Sequence, residues 1–258
     1  MSSAVQKYIS SQSLGSIVAE DFRSKFVCPE ESSRYASSLG QILFNKLSDC
    51  NSATTIIEFG SGTGAPVISA ILNSDFWGTV HGYEINPSAI DIANQLIQDN
   101  GLQRQYIIHN ESFFETQDIP AAEYLIANPP YIPCDDDKLL TLPYLCGGSE
   151  GNEVSKRILS CGYKTVFLEM SSYSNPVGLM EHAQSLEYKL IDFQISPMPF
   201  GMYSRQDIVW KRIQDMKASG KAFCSDEVYL VGSVLFTKEA NGINDRSGEF
   251  LASLKKSD

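Results

Sequence analysis

Asn128-Pro129-Pro130-Tyr131 has the residue types to hold an amine or amide nitrogen still while its lone pair reacts. An –NH2 group held for reaction needs acceptors for its two hydrogens. The Asn128 side-chain oxygen and the Pro129 carbonyl can supply them. The two prolines, Pro129 and Pro130, remove two backbone donors and restrict the loop, which leaves carbonyls free to face inward. Tyr131 can stack on a planar acceptor and favour positive charge growing on the nitrogen. Taken alone, the string could also be a proline turn that ends a strand.

A second string lies 64 residues upstream, Glu58-Phe59-Gly60-Ser61-Gly62-Thr63-Gly64. It follows a β-rich run and precedes an apolar helical one. Glycines in such a loop let the backbone turn tightly and let a ligand approach the main chain. Glu84-Ile85 ends the next β-rich run, 24 residues past Gly60. An acid there can take both hydroxyls of a ribose, in either a nicotinamide dinucleotide or another adenosine-containing ligand. Asn110-Glu111-Ser112-Phe113 closes the third such run. A solvated strand end would explain either acid on its own.

These strings need an alternating scaffold, and the chain supplies one. Strands are expected over 54–59, 79–84, 106–109, 124–127, 165–169, 188–195 and 228–236, and helices over 65–72, 87–100, 152–160 and 176–186. Pro87 suits a first helical turn and Gly101 a C-terminal cap. Such alternation implies a mostly parallel sheet covered on both faces. Residues 1–50 read as a helical N-terminal appendage, with Tyr35, Leu39, Leu43 and Phe44 near one face, and 51–258 as the main domain.

Together the two strings resemble the class I S-adenosylmethionine (SAM) methyltransferases that methylate nitrogen. The Gly-x-Gly-x-Gly spacing is typical of SAM binding. Asn128-Pro129-Pro130-Tyr131-Ile132-Pro133 and Gly147-Gly148-Ser149-Glu150-Gly151 resemble the HemK-like protein-glutamine methyltransferases and their small-domain relatives over roughly residues 53–197. The resemblance implies a Rossmann-like sheet of seven strands, with the last strand antiparallel. It implies SAM as cofactor, held by Glu58, Phe59, Gly60, Ser61, Gly62, Gly64, Glu84, Ile85, Glu111, Ser112, Phe113 and Asn128. Glu111 would receive the adenine amino group and Phe113 would lie against the ring. The Phe26–Ser32 stretch resembles the segment that covers SAM. Asn128, Pro129, Pro130 and Tyr131 would present the acceptor, a protein side chain or a small molecule. No acid or nucleophile is needed, because a sulfonium is already a good electrophile. Catalysis is then in-line positioning in a dry pocket.

Two regions depart from that pattern. The N-terminal segment is shorter than the helical domain of release-factor-modifying relatives. Residues 198–226 are an insertion with a helix over 208–216, either a lid or a cover for a strand edge. The run Asp135-Asp136-Asp137 is either a solvated loop or a rim that attracts a cationic acceptor.

Composition narrows the field. The formal charge is −11, and Lys156-Arg157, Lys211-Arg212 and Lys255-Lys256 are the only adjacent basic pairs, so a nucleic-acid acceptor is the less expected class. No apolar run suggests a secretory signal or a membrane span. Six cysteines with no Cys-x-x-Cys pair read as reduced thiols of a cytoplasmic protein. Three histidines without partner spacing make a metal unexpected. Two other classes remain, a dinucleotide oxidoreductase and a non-catalytic SAM-binding subunit.

Overall fold

The structure is a computed structural model that describes residues 28–47, 54–239, 242 and 244–255. Seven strands form one sheet in the order β3-β2-β1-β4-β5-β7-β6, with β1 Thr55–Phe59, β2 Thr79–Glu84, β3 Tyr106–Asn110, β4 Tyr124–Ala127, β5 Thr165–Ser171, β6 Lys189–Pro199 and β7 Val228–Thr237. The expected fold class is observed. The chain divides after Ala127 into two compact units. The domain boundary expected near residue 50 and the Phe26-Val27 part of the expected covering segment lie outside the described residues.

In the first unit β1 is the central strand, parallel to β2 on one side and to β4 on the other. Ile56 and Ile57 are fully buried, as a strand covered on both faces requires. Helix α1 (Pro29–Ile42) packs on α2 (Ala65–Leu72). Tyr35, Leu39, Leu43 and Phe44, the expected apolar face, are all buried. Helix α3 (Pro87–Asp99) starts at Asn86, whose side chain accepts from the Ser88 amide at 3.1 Å, and it turns out at Gly101 with φ +70°.

In the second unit β5 is buried along its whole length, and β7 runs antiparallel to β5 and to β6. Helices α4 (Glu153–Ser160) and α5 (Pro176–Ser185) match expectation. Strand β6 runs on to Pro199, four residues past its expected end, because Ser196–Pro199 pair with Val231–Val228 of β7. The insertion therefore starts at residue 200, and it carries α6 (Asp207–Ala218). A last helix, α7 (Ser247–Leu254), was not anticipated from the sequence. Its Phe250 is fully buried over Gly232 of β7, where a Cβ would stand 2.8 Å from the ring. Residue 232 must stay small for that helix to dock.

The reading of six reduced thiols needs correction. Cys134 and Cys146 are joined as a disulfide. Two cysteines 12 residues apart carried no motif, but the backbone folds one beside the other, with a parallel bridge between Ile132 and Cys146. Among the described residues no helix is long and apolar enough to cross a membrane, and no cluster of three potential metal ligands occurs.

Candidate functional site

The glycine loop leaves β1 in a conformation that only glycine adopts cheaply. Gly60, Gly62 and Gly64 have φ of +66°, +52° and +67°. At Gly64 a Cβ would also stand 2.9 Å from the Tyr106 ring. The loop is fixed by its own backbone. Gly60 and Ser61 amides donate to the Tyr83 carbonyl at 3.0 and 3.1 Å, and the Gly64 amide donates to the Ser61 carbonyl at 2.9 Å. Helix α2 begins immediately after Gly64 with no side-chain cap. Its first-turn amides face the loop, an arrangement suited to a polar or anionic group.

Glu84 sits at the end of β2, where the sequence places it, and is already engaged. One carboxylate oxygen accepts from the Gly62 amide at 2.8 Å, and the other accepts from the Ile85 and Asn86 amides, both at 2.8 Å. The acid thus joins the second strand to the glycine loop and is held rigidly. A carboxylate has about four acceptor positions, so further donors can still be received.

Glu58 has a role that the motif does not reveal. It is buried at the end of β1, and the Tyr106 hydroxyl donates to it. Burial pushes its carboxyl up to about 8, against the pull of the Tyr106 hydrogen bond, and the Glu84 charge adds to the rise. The Tyr106 phenol is also pushed up, by burial and by Glu58. The pair therefore holds its protons at neutral pH.

Phe113 is buried against protein rings. It lies edge-on to Phe59 at 5.7 Å and to Phe114 at 5.2 Å. Tyr83 is edge-on to it at 5.9 Å. Glu111 is exposed and accepts from the Thr116 hydroxyl at 2.5 Å, while the Ser112 carbonyl closes a single turn with the Glu115 and Thr116 amides.

In the second unit Asn128 opens the chain, and Tyr131 is 8% exposed. The loop is backed by Gly147–Gly151. The Gly147 amide donates to the Ile132 carbonyl at 2.8 Å, and the Cys134 amide donates to the Gly148 carbonyl at 2.9 Å. A Cβ at Gly147 would lie 2.7 Å from both the Pro130 carbonyl oxygen and the Tyr131 Cα. One at Gly151, where φ is +78°, would lie 2.5 Å from the Tyr131 carbonyl oxygen. The glycine pair is thus a flat back wall that only a side-chain-free backbone can form.

That wall is anchored by two acids, Glu150 of the quoted string and Glu153, which the sequence did not single out. Glu153 accepts from the Ser149 hydroxyl at 2.8 Å and from the Glu150 and Asn152 amides at 3.0 and 3.1 Å. Glu150 accepts from the Asn175 side chain at 2.6 Å and from Lys221, whose hydrogen bond keeps the Glu150 carboxyl below its usual range. The Asn152 side chain donates to the Asn175 carbonyl at 2.8 Å. The Gly-Gly-x-Glu-Gly string was the only sequence signal for this network.

A family model described as methyltransferase small domain matches residues 37–141, which include both the glycine loop and Asn128–Tyr131. The structure is similar to PH1948 of Pyrococcus horikoshii, a protein assigned as an RNA methyltransferase. The likeness has a TM-score of 0.57 at 13% identity and covers 94% of this chain and 100% of that one. It is similar also to the methyltransferase domain of delta-N METTL16, with a TM-score of 0.54 at 11% identity, covering 92% and 94%. A looser likeness, with a TM-score of 0.46 at 15% identity, is to M. jannaschii TYW2 in complex with AdoMet and covers 81% and 74%.

Proposed function

We propose that this chain is a SAM-dependent methyltransferase that transfers methyl to an amide or amine nitrogen presented by Asn128–Tyr131, a reading supported by the small-domain match and the fold. The observation that carries this reading is a register. Phe59 pairs with Ala127 on neighbouring parallel strands of the first unit, and Gly60 and Asn128 are the residues that follow them in the sequence. The carboxyl ends of such strands are where open α/β sheets take ligands.

The residues of the first unit fit SAM. Gly60 and Gly62 leave open space where a Cβ would stand, Glu84 is pre-oriented to receive ribose hydroxyls, and Glu58 lies at the entry to the loop. Ile85, exposed beside Glu84, and Phe59, Glu111, Ser112 and Phe113 complete the set assigned to the donor. When bound, SAM supplies a methyl already activated on sulfur. The Asn128 side-chain oxygen and the Pro129 carbonyl accept the two hydrogens of the acceptor nitrogen. Tyr131 lies along the acceptor plane and favours the charge that grows there. We assign 51–258 as the catalytic domain and 1–50 as an appendage.

The acceptor is a protein side chain, with a HemK-like glutamine the leading case, or a small amine or amide. A nucleobase amine is a second reading. The likeness to PH1948, named as an RNA methyltransferase, over more than nine-tenths of the chain favours it, and the net charge of −11 weighs against it.

The test is incubation of the protein with methyl-labelled SAM and an extract of its source cells, followed by separation into protein, small-molecule and nucleic-acid fractions. Label is expected in the protein or small-molecule fraction. Label in RNA would install the second reading. Asn128→Ala is expected to keep S-adenosylhomocysteine binding and to lose roughly a hundredfold in transfer. If it transferred at the wild-type rate, the assigned role of the loop would be wrong.

A further inference from the structure

The 200–227 insertion is fastened to the elements that back the acceptor loop. The Gln206 side chain accepts from the Thr141 amide and hydroxyl at 2.8 and 2.9 Å. The Arg212 guanidinium donates to the Ser149 carbonyl at 2.8 Å. The Phe223 amide donates to the Ser172 carbonyl at 2.9 Å, and the Ser172 hydroxyl donates to the Phe223 carbonyl at 2.5 Å. Helix α6 turns Val209, Ile213 and Met216 inward. These contacts pack the insertion against a wall of the second unit.

Within that wall one side chain touches three separated segments. Tyr173, 1% exposed just beyond β5, is edge-on to Tyr131 of the acceptor loop at 5.9 Å and 66°. It is edge-on to Tyr229 of β7 at 4.8 Å and 62°. Phe200, the first residue of the insertion, stacks on it at 5.7 Å and 28°. The Trp210 ring then stands against Phe200 at 5.0 Å and 86°, with the Arg205 guanidinium 4.1 Å above the indole. The ring–ring separations, 4.8 to 5.9 Å, fall in the favourable range for ring pairs.

We propose that Tyr173 is a positioning residue that fixes the plane of Tyr131, and that the insertion influences the acceptor through this ring stack. The inference rests on the acceptor role given above to Asn128–Tyr131. Tyr173 is itself locked. Its amide donates to the Ser171 hydroxyl at 3.2 Å, and its neighbour Ser172 binds both Phe223 and the Leu230 amide. A buried ring held on three sides cannot follow Tyr131 if that ring tips. Tyr131 is therefore kept in one orientation before any acceptor arrives, and preorganisation of this kind raises turnover without strengthening donor binding.

The test uses the full chain with methyl-labelled SAM and source-cell extract, with extract concentration varied. Tyr173→Leu is expected to lose tenfold or more in transfer, with S-adenosylhomocysteine affinity unchanged by calorimetry. Tyr173→Phe, which keeps the ring, is expected to restore transfer. The decisive comparison is a double-mutant cycle. If Tyr173 acts through Tyr131, Tyr131→Leu/Tyr173→Leu transfers no more slowly than Tyr131→Leu alone. Additive losses, or wild-type transfer by Tyr173→Leu, would overturn the proposal. If Tyr173→Leu does not fold, Phe200→Leu in the same cycle must show the same non-additivity, and its additivity counts equally against the idea. Inactive Asn128→Ala beside fully active Tyr173→Leu would sink this inference alone. Fully active Asn128→Ala and Tyr131→Leu would sink the acceptor role beneath it.

Discussion

Glu58→Gln tests the electrostatics of the glycine loop directly, because it keeps the shape of a buried side chain and removes its titration. An unfolded glutamate loses its proton near 4.5, and the folded one holds it to about 8. Below 4.5 both states are protonated and Glu58 makes no pH-dependent difference. As pH rises from 4.5 towards 8, the unfolded chain releases a proton that the folded chain retains, so folded stability is progressively lost. At pH 7 the unfolded carboxyl is 2.5 pH units past its midpoint, which at 1.36 kcal/mol per unit is a loss of about 3 kcal/mol. Glutamine cannot ionise and escapes this loss. Thermal and urea melts of both proteins across pH 4.5–8.5 would measure it. The stability difference should shift in favour of the glutamine variant by about 3 kcal/mol between pH 4.5 and 7, or roughly 6–12 °C in Tm for a chain of this size. It should level off above pH 8. A difference that stays flat across the series would show that Glu58 is ionised at neutral pH and would refute the argument.

Gly64→Ala forces a left-handed residue to carry a Cβ against the Tyr106 ring. It is expected to cost about 2 kcal/mol in urea melts and to weaken S-adenosylhomocysteine binding measured by calorimetry. Wild-type affinity would remove the loop from the donor site. The disulfide predicts a labelling pattern without reductant. Cys161, which is exposed, should alkylate, though more slowly than a fully solvated thiol because desolvation raises its pKa, while Cys134 and Cys146 should be recovered by mass spectrometry as one cross-linked peptide. Alkylation of all three would show the pair to be reduced.

The sequence was most legible where one local rule decides an outcome. The bounds of α2, β2 and β4 came out as read, since α2 and β4 are apolar runs closed by an asparagine and β2 lies between Gly78 and the Asn86-Pro87 helix start. Helix α7 escaped because an eight-residue helix with Phe250 and Leu254 buried has too few apolar positions to show a period. Glu84 was placed by spacing, but its bonds to Gly62, Ile85 and Asn86 depend on how the glycine loop curls back. The protonation of Glu58 depends on Tyr106, 48 residues away. Tyr173 follows Tyr131 by 42 residues with no string linking them. Cys134 and Cys146 meet only because Ile132 and Cys146 bridge. In each of these cases the missing information was a contact between distant segments, which no window of sequence contains.

The position of β7 between β5 and β6 governs the order in which this chain can be made. Strands β5 and β6 do not pair with each other, and each completes its antiparallel ladder in the second unit only with β7. A nascent chain that has emerged as far as residue 227 carries β6 with an open row of backbone donors and acceptors, beside an equally open edge of β5. Unpaired edges of this kind recruit other chains. The ten residues Val228–Thr237 therefore act as a zipper that arrives last of the seven strands. Until they leave the ribosome, both edges stay open to pairing with other chains.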